Sequence, residues 1–155
     1  MISLPEVAGA GFFQIFVGIS LFPPRHVNAA AWDACGVAIG VGIDAIEVDR
    51  FAAALARRPR LAERCFTEAE AAYCQSRAFP PQHFAARFAA KEAVGKALGI
   101  GMTRWREVEV VRGRGAPVAR LSGRYAARAE ALGVTRVLIS LTHSRTDAIA
   151  VALAE

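Results

Sequence analysis

A chain of 155 residues, 54% hydrophobic and 21% charged, can bury the core of one compact domain and is too apolar to stay disordered. A formal net charge of +5, carried almost entirely by arginine, favours an acidic partner such as a phosphate ligand, nucleic acid, a membrane surface or an acidic protein. Only 8% of the residues are aromatic and most sit at apolar positions, which argues against the interleaved stacking surface of a nucleic-acid-binding module.

Residues 7–22 are strongly apolar, Pro23 and Pro24 stop the run, and no Lys or Arg precedes Arg25. A signal peptide has a basic start and a shorter apolar core, and a membrane span has about 20 apolar residues, so the run fits export or anchoring only weakly and these stay as lesser alternatives. Residues 1–36 therefore read as an N-terminal extension of unknown role, either a packing segment or the product of a misassigned start codon, and the working domain as 37–155. Cys35, Cys65 and Cys74 show no CxxC spacing and fit reduced, packed thiols of a cytosolic protein better than a disulfide frame or a zinc site. His26, His83 and His143 are too widely spaced for a local metal motif.

Residues 37–43 form a short β-rich run that ends at Asp44. GVGIDA over 40–45 meets the degenerate G-x-G-x-x-A pattern of a dinucleotide-binding turn. That pattern is short and frequent, and a carboxylate in the turn would face the pyrophosphate directly. A divalent cation between the two removes the conflict, because Mg²⁺ is commonly held by one or two carboxylates plus substrate phosphates. A helix cap is the plainer alternative for Asp44. A helix is expected over 46–57, with Val48, Phe51, Ala52 and Leu55 on its inner side; Glu47 and Arg50 then lie near Asp44 on its first turns, Glu47 in a supporting role. Thr67 and Glu70 fit a capping box opening a helix over 68–76, and Pro80 and Pro81 separate this from the next.

RFAAKEAVGKALG over 87–99 reads as a helix with almost no polar surface. Phe84, Phe88, Lys91, Val94, Gly95 and Leu98 share one face, and alanines fill the other. A helix apolar all round belongs inside a protein or an assembly. Arg87 and Lys91 form a like-charge pair one turn apart, which costs roughly 0.2–0.5 kcal/mol unless an anion stands between them. Glu92 and Lys96 are a favourable pair at the same spacing, readable as a surface ion pair or as part of a site.

A hairpin is expected over 108–112 and 118–121, a helix over 125–132 stopped by Gly133, and two further strands over 137–142 and 148–154. Helices mixed with antiparallel hairpins give an α+β fold, a small antiparallel sheet packed with helices, and not a doubly wound sheet.

G-I-D-x-x-E-x-x-R, F-T-x-x-E, R-F-A-A-K-E-A-x-x-K-A-L-G, G-x-P and S-L-T-H-S occur in that order. Over 37–155 the chain closely resembles the bacterial holo-acyl-carrier-protein synthases, the short type of 4′-phosphopantetheinyl transferase. The resemblance implies that Asp44 and Glu92 ligate Mg²⁺ with the pyrophosphate of coenzyme A, and that Lys96 contacts the phosphates and acts with Glu92 in catalysis. It implies that Arg87 and His143 border the coenzyme A site, where Lys91 on the same helix is a further candidate phosphate ligand. It also implies a cytoplasmic homotrimer with sites between subunits, an interface that would account for the all-apolar helix.

The expected reaction moves phosphopantetheine to a serine hydroxyl of apo acyl carrier protein, for fatty acid biosynthesis, with positioning and electrostatic stabilisation dominant. The serine base is open between Glu92 and a metal-bound water. In the family a basic helix docks on the acidic carrier protein, which here selects Arg50, Arg57, Arg60 and Arg64 with Phe51 and Leu55; a solvated basic face is the alternative. The rival readings are a basic nucleic-acid-binding module and a transferase serving polyketide or peptide synthases, whose longer type duplicates this domain. Neither nucleic acid nor a membrane is expected as a partner.

Overall fold

The computed structural model describes residues 38–113 and 115–155. The expected extension over 1–36, with its apolar run at 7–22 and Cys35, lies outside the described residues, as do Val37 and Arg114.

The strands are β1 (Gly40–Glu47), β2 (Val108–Val111), β3 (Val118–Leu121), β4 (Val137–His143) and β5 (Asp147–Ala154). All neighbours pair antiparallel in a five-stranded sheet of order β1-β5-β4-β3-β2. Side chains alternate across it: Ala148, Ala150, Ala152 and Ala154 of β5 are buried on one face, while Ile149 and Val151 lie exposed on the other. The helices are α1 (Val48–Arg57), α2 (Arg60–Cys65), α3 (Glu68–Gln75), α4 (Pro80–Ala97) and α5 (Gly123–Ala131). The α+β architecture expected from the sequence is the one that forms.

β1 runs further than its apolar run suggested. Backbone pairing continues from Asp44↔Ala150 to Glu47↔Asp147, so Asp44 sits inside the strand and the helix begins at Val48. One consequence corrects the expected placing of Glu47. Three residues apart on a strand means opposite faces, so Glu47 lies with Ile43 and Ala45 on the outer face, away from Asp44. A short extra helix, α2, follows Pro59. The capping box at α3 forms in full, Thr67 accepting from the Glu70 backbone and Glu70 from the Thr67 backbone. Pro80 and Pro81 do not merely separate α3 from α4; they occupy its first turn, where a missing N–H costs nothing.

α4 is the axis of the fold. One cluster, with Ala89, Ala93, Val94 and Leu98, packs it onto β2, β4, β5 and Tyr125 of α5. A second, with Phe84, Ala85 and Phe88, packs it against Phe51, Cys65, Phe66 and Cys74 from α1 to α3. α4 is therefore apolar on every side because its own chain surrounds it, which corrects the explanation by a subunit interface. Apart from Phe79 at the start of α4, the large apolar side chains left exposed lie on the outer face of the sheet, at Ile39, Ile43, Val118, Leu138, Ile149 and Val151.

Candidate active site at the β1–α4 junction

Gly40 and Gly42 let β1 approach α4 closely: a Cβ on Gly40 would fall 2.1 Å from the Ala97 carbonyl oxygen, and one on Gly42 2.0 Å from that of Ala93. Two strand residues advance about 6.6 Å and one helical turn about 5.4 Å, so the next inward residue, Asp44, comes level with the turn that carries Glu92. The side chain of Lys96 folds back along α4 and donates from Nζ to Asp44 Oδ1 at 2.7 Å and to the Ile43 carbonyl at 2.9 Å. Asp44 Oδ2 is buried with no hydrogen-bond partner among the described residues. Burial raises the Asp44 carboxyl above its ordinary range, partly offset by Lys96. The half-satisfied, desolvated Asp44 carboxylate on β1 and the half-buried Glu92 carboxylate on α4 are hard oxygen donors, the kind that suits Mg²⁺. Among the described residues no three His, Cys, Asp or Glu side chains gather into a metal cluster, so an ion here would complete its shell with substrate and water.

Lys91 does not belong to this site. It is 0% exposed, and its ammonium donates to Glu70 Oε2 at 2.7 Å, the Cys65 carbonyl at 2.8 Å and the Trp105 carbonyl at 3.0 Å. Three donors meet three acceptors, so none is left for a phosphate, and the expected coenzyme A role of Lys91 is withdrawn. Burial lowers the Lys91 pKa, and Glu70 opposes that shift.

Arg87 is also buried, at 6% exposure, and one turn before Lys91 it too faces α3. Its guanidinium carbon lies 3.9 Å from the centre of the Tyr73 ring, and that of Arg77 lies 4.1 Å from the same ring. His83 packs edge-on to Tyr73 and to His143, with ring centres 6.1 Å and 5.4 Å apart. Burial, then the neighbouring His143, Arg87 and Arg77, lowers the His83 pKa. Arg77 and Tyr73 carry no motif that singles them out in the sequence, and His83 is weighed there only as a metal ligand.

Of the expected docking residues, Arg50, Arg57, Arg60 and Arg64 are exposed on α1 and α2. Phe51 is not: it is 1% exposed, packed on Phe66 and Phe88. Leu55 is half-buried against the same core. Phe51 is therefore a core residue and not a contact surface, as its inward helical position already required. A shallow groove of about 460 Å³ opens between Arg58, Pro59, Arg60, Leu61 and Arg64. Burial pushes the Cys65 and Cys74 thiols up to about 11, in keeping with inert, packed cysteines.

The family model for the 4′-phosphopantetheinyl transferase superfamily matches residues 40–152, from the first residue of β1 to within β5. The chain belongs to that superfamily. It is 49% identical over 117 residues to the holo-[acyl-carrier-protein] synthase of Moorella thermoacetica, covering 74% of this transferase and 91% of that protein. Its fold is similar to the crystal structure of holo-[acyl-carrier-protein] synthase from Neisseria meningitidis, with a TM-score of 0.70 and 26% identity over 77% of this chain and 99% of that one. A synthase–coenzyme A complex from Chronobacterium ammoniagenes aligns with a TM-score of 0.65 and 29% identity, covering 74% of this transferase and 95% of that chain. No helix among the described residues is long and apolar enough to cross a membrane.

Proposed function

We propose that this transferase moves the 4′-phosphopantetheine group of coenzyme A to a serine hydroxyl of apo acyl carrier protein, with Mg²⁺ held by Asp44 and Glu92. The observation that carries the reading is the Asp44 carboxylate, one oxygen on Lys96 and the other buried without a partner, on the strand that packs closely against the helix of Glu92. Relatives named as holo-acyl-carrier-protein synthases and a relative bound to coenzyme A support the substrate pair.

Serine Oγ, giving its proton to Glu92 or to water, attacks the phosphorus next to pantetheine, the bond from that phosphorus to the bridging oxygen breaks, and adenosine 3′,5′-bisphosphate leaves with that oxygen. When bound, Mg²⁺ neutralises the diphosphate and orients it for in-line attack. Asp44 and Glu92 fix that charge on β1 and α4, two elements held rigidly by the glycine contact. Lys96, its ammonium held between Asp44 and the Ile43 carbonyl, adds a fixed positive charge beside the site for the phosphates. Arg87 stands nine residues, about 13 Å of helix axis, from Lys96, so with His143 it is placed for a second anionic group of coenzyme A and not for the diphosphate. The exposed arginines of α1 and α2 offer a positive face to an acidic carrier protein. The protein works in the cytoplasm for fatty acid biosynthesis, as a homotrimer closed through the outer sheet face, residues 37–155 forming the catalytic domain and 1–36 an extension.

The test is incubation with apo acyl carrier protein, coenzyme A and Mg²⁺, followed by mass spectrometry of the carrier. A phosphopantetheine mass gain is expected, abolished by chelator and by Asp44→Ala or Glu92→Ala in protein that remains folded. Near-normal turnover in either variant removes the metal assignment, and no mass gain at all removes the activity.

A further inference from the structure

Arg87 presents an electrostatic problem that the fold does not solve by itself. A buried guanidinium ordinarily has a carboxylate partner, because an unpaired buried charge is costly. Among the described residues neither Arg87 nor Arg77 joins an ion pair, and both Nε atoms are buried without a hydrogen-bond acceptor. What both arginines share is Tyr73, at 3.9 Å and 4.1 Å from guanidinium carbon to ring centre. The ring quadrupole supplies part of the missing negative potential, and its flat face fixes the guanidinium plane. The other groups closing in add positive charge or none: His83 of α4 itself, His143 of β4, Arg77 beyond α3, and the Cys74 thiol of α3, whose sulfur accepts from Arg87.

We propose that Tyr73 is a positioning residue for coenzyme A binding, its ring holding the Arg87 guanidinium in place before an anionic group arrives. The inference rests on the reading that Arg87 borders the coenzyme A site. An arginine held on a ring loses less side-chain freedom on capturing its anion than a mobile one, so the ring contributes to affinity without touching substrate. The phenolic hydroxyl has no part in this; the aromatic face does. Phenylalanine should therefore serve where an aliphatic residue of similar bulk does not.

The experiment is steady-state kinetics of Tyr73→Leu, Tyr73→Phe and Arg87→Met with coenzyme A and carrier protein varied separately, together with calorimetric titration of coenzyme A. Loss of a desolvated cation–π contact is expected to raise the KM and the Kd for coenzyme A about tenfold in Tyr73→Leu. The kcat and the KM for carrier protein should stay within about twofold of the parent, and Tyr73→Phe should bind like the parent. If Arg87→Met weakens coenzyme A binding while Tyr73→Leu does not, Tyr73 is only a packing residue and the inference falls by itself. If Arg87→Met leaves coenzyme A binding unchanged, the placing of Arg87 at the site falls and takes the inference with it. Should Tyr73→Leu fail to fold, Tyr73→Phe decides: coenzyme A binding as weak as in Arg87→Met overturns the aromatic-face argument, and parental binding upholds it.

Discussion

Lys91 and Glu70 form a polar hub in a part of the interior that is otherwise aromatic and aliphatic. Glu70 Oε2 takes the Lys91 ammonium and the Thr67 N–H, while Oε1 takes the Val110 N–H at 2.9 Å. One carboxylate thus ties α3, α4 and β2 together, and Lys91 adds the end of α2 through the Cys65 carbonyl. Removing one partner leaves the other charge buried without compensation, so Lys91→Met is expected to cost about 3–5 kcal/mol in urea unfolding. Glu70→Gln/Lys91→Met should recover part of that loss, since no net charge remains inside. The sequence showed Lys91 on an apolar stripe and asked for an anion beside it; that the anion is Glu70 and not phosphate depends on a contact across 21 positions, which local spacing does not encode. His83 adds a pH dependence at the same scale. Its folded pKa lies below the ordinary 6.5, chiefly through burial and then through His143, Arg87 and Arg77. As pH falls through 6.5 the unfolded chain takes up the proton first, so stability declines between that value and the lower folded one, and above 6.5 the residue contributes nothing. Thermal melts of His83→Asn should fall less steeply with acid over that window than those of the parent; an equal slope would show that neither burial nor the positive cluster depresses His83 in the folded chain.

The contact of β1 with α4 sets the site at the level of whole elements. Gly42 has no room for a methyl group, its Cβ position lying 2.0 Å from the Ala93 oxygen and 2.7 Å from the Ala97 nitrogen, both backbone atoms that cannot swing aside. Gly42→Ala is expected to cost about 1–3 kcal/mol by overpacking and to reduce transfer more than stability alone explains, because Asp44 moves with the strand while Glu92 and Lys96 stay on the helix. Gly101→Ala is the control, with nothing within 4 Å of its Cβ position, and should leave both stability and rate near the parent. Equal damage from the two substitutions would mean that the glycine contact does not position the site. The spacing of these glycines suggested a nucleotide-binding turn; in the fold they serve helix packing, and the pattern could not separate the two uses because both require a backbone that approaches something closely. Strand and helix types were legible from apolar period, capping and turn residues. The limits of β1 were not, because Asp44 looks like a terminator until its pairing with β5 is known.

For the molecule as a whole, the sign of each face decides how it assembles. The inner sheet face is filled by α4, but on the outer face Val41, Leu153, Leu138 and Val118 stand in one cross-strand row, with Ile43 and Val151 in the next. Six large apolar residues outside the core remain 37% to 50% exposed there. A contiguous apolar patch of this kind suits a protein contact, and the proposed homotrimer would cover it with a second copy of the same chain. In the proposed homotrimer this face, and not the mostly buried α4, would carry the contact. Val151 lies at the middle of β5, so Val151→Glu puts a charge into the centre of that contact while its outward side chain leaves the core untouched. Sedimentation velocity should show the parent as a trimer and Val151→Glu as a folded monomer with an unchanged far-ultraviolet spectrum. If sites form between subunits, transfer activity falls with the trimer and returns as protein concentration drives reassociation in milder variants such as Val151→Thr. A parent that sediments as a fully active monomer would detach the apolar face from catalysis and leave the β1–α4 junction sufficient within one chain.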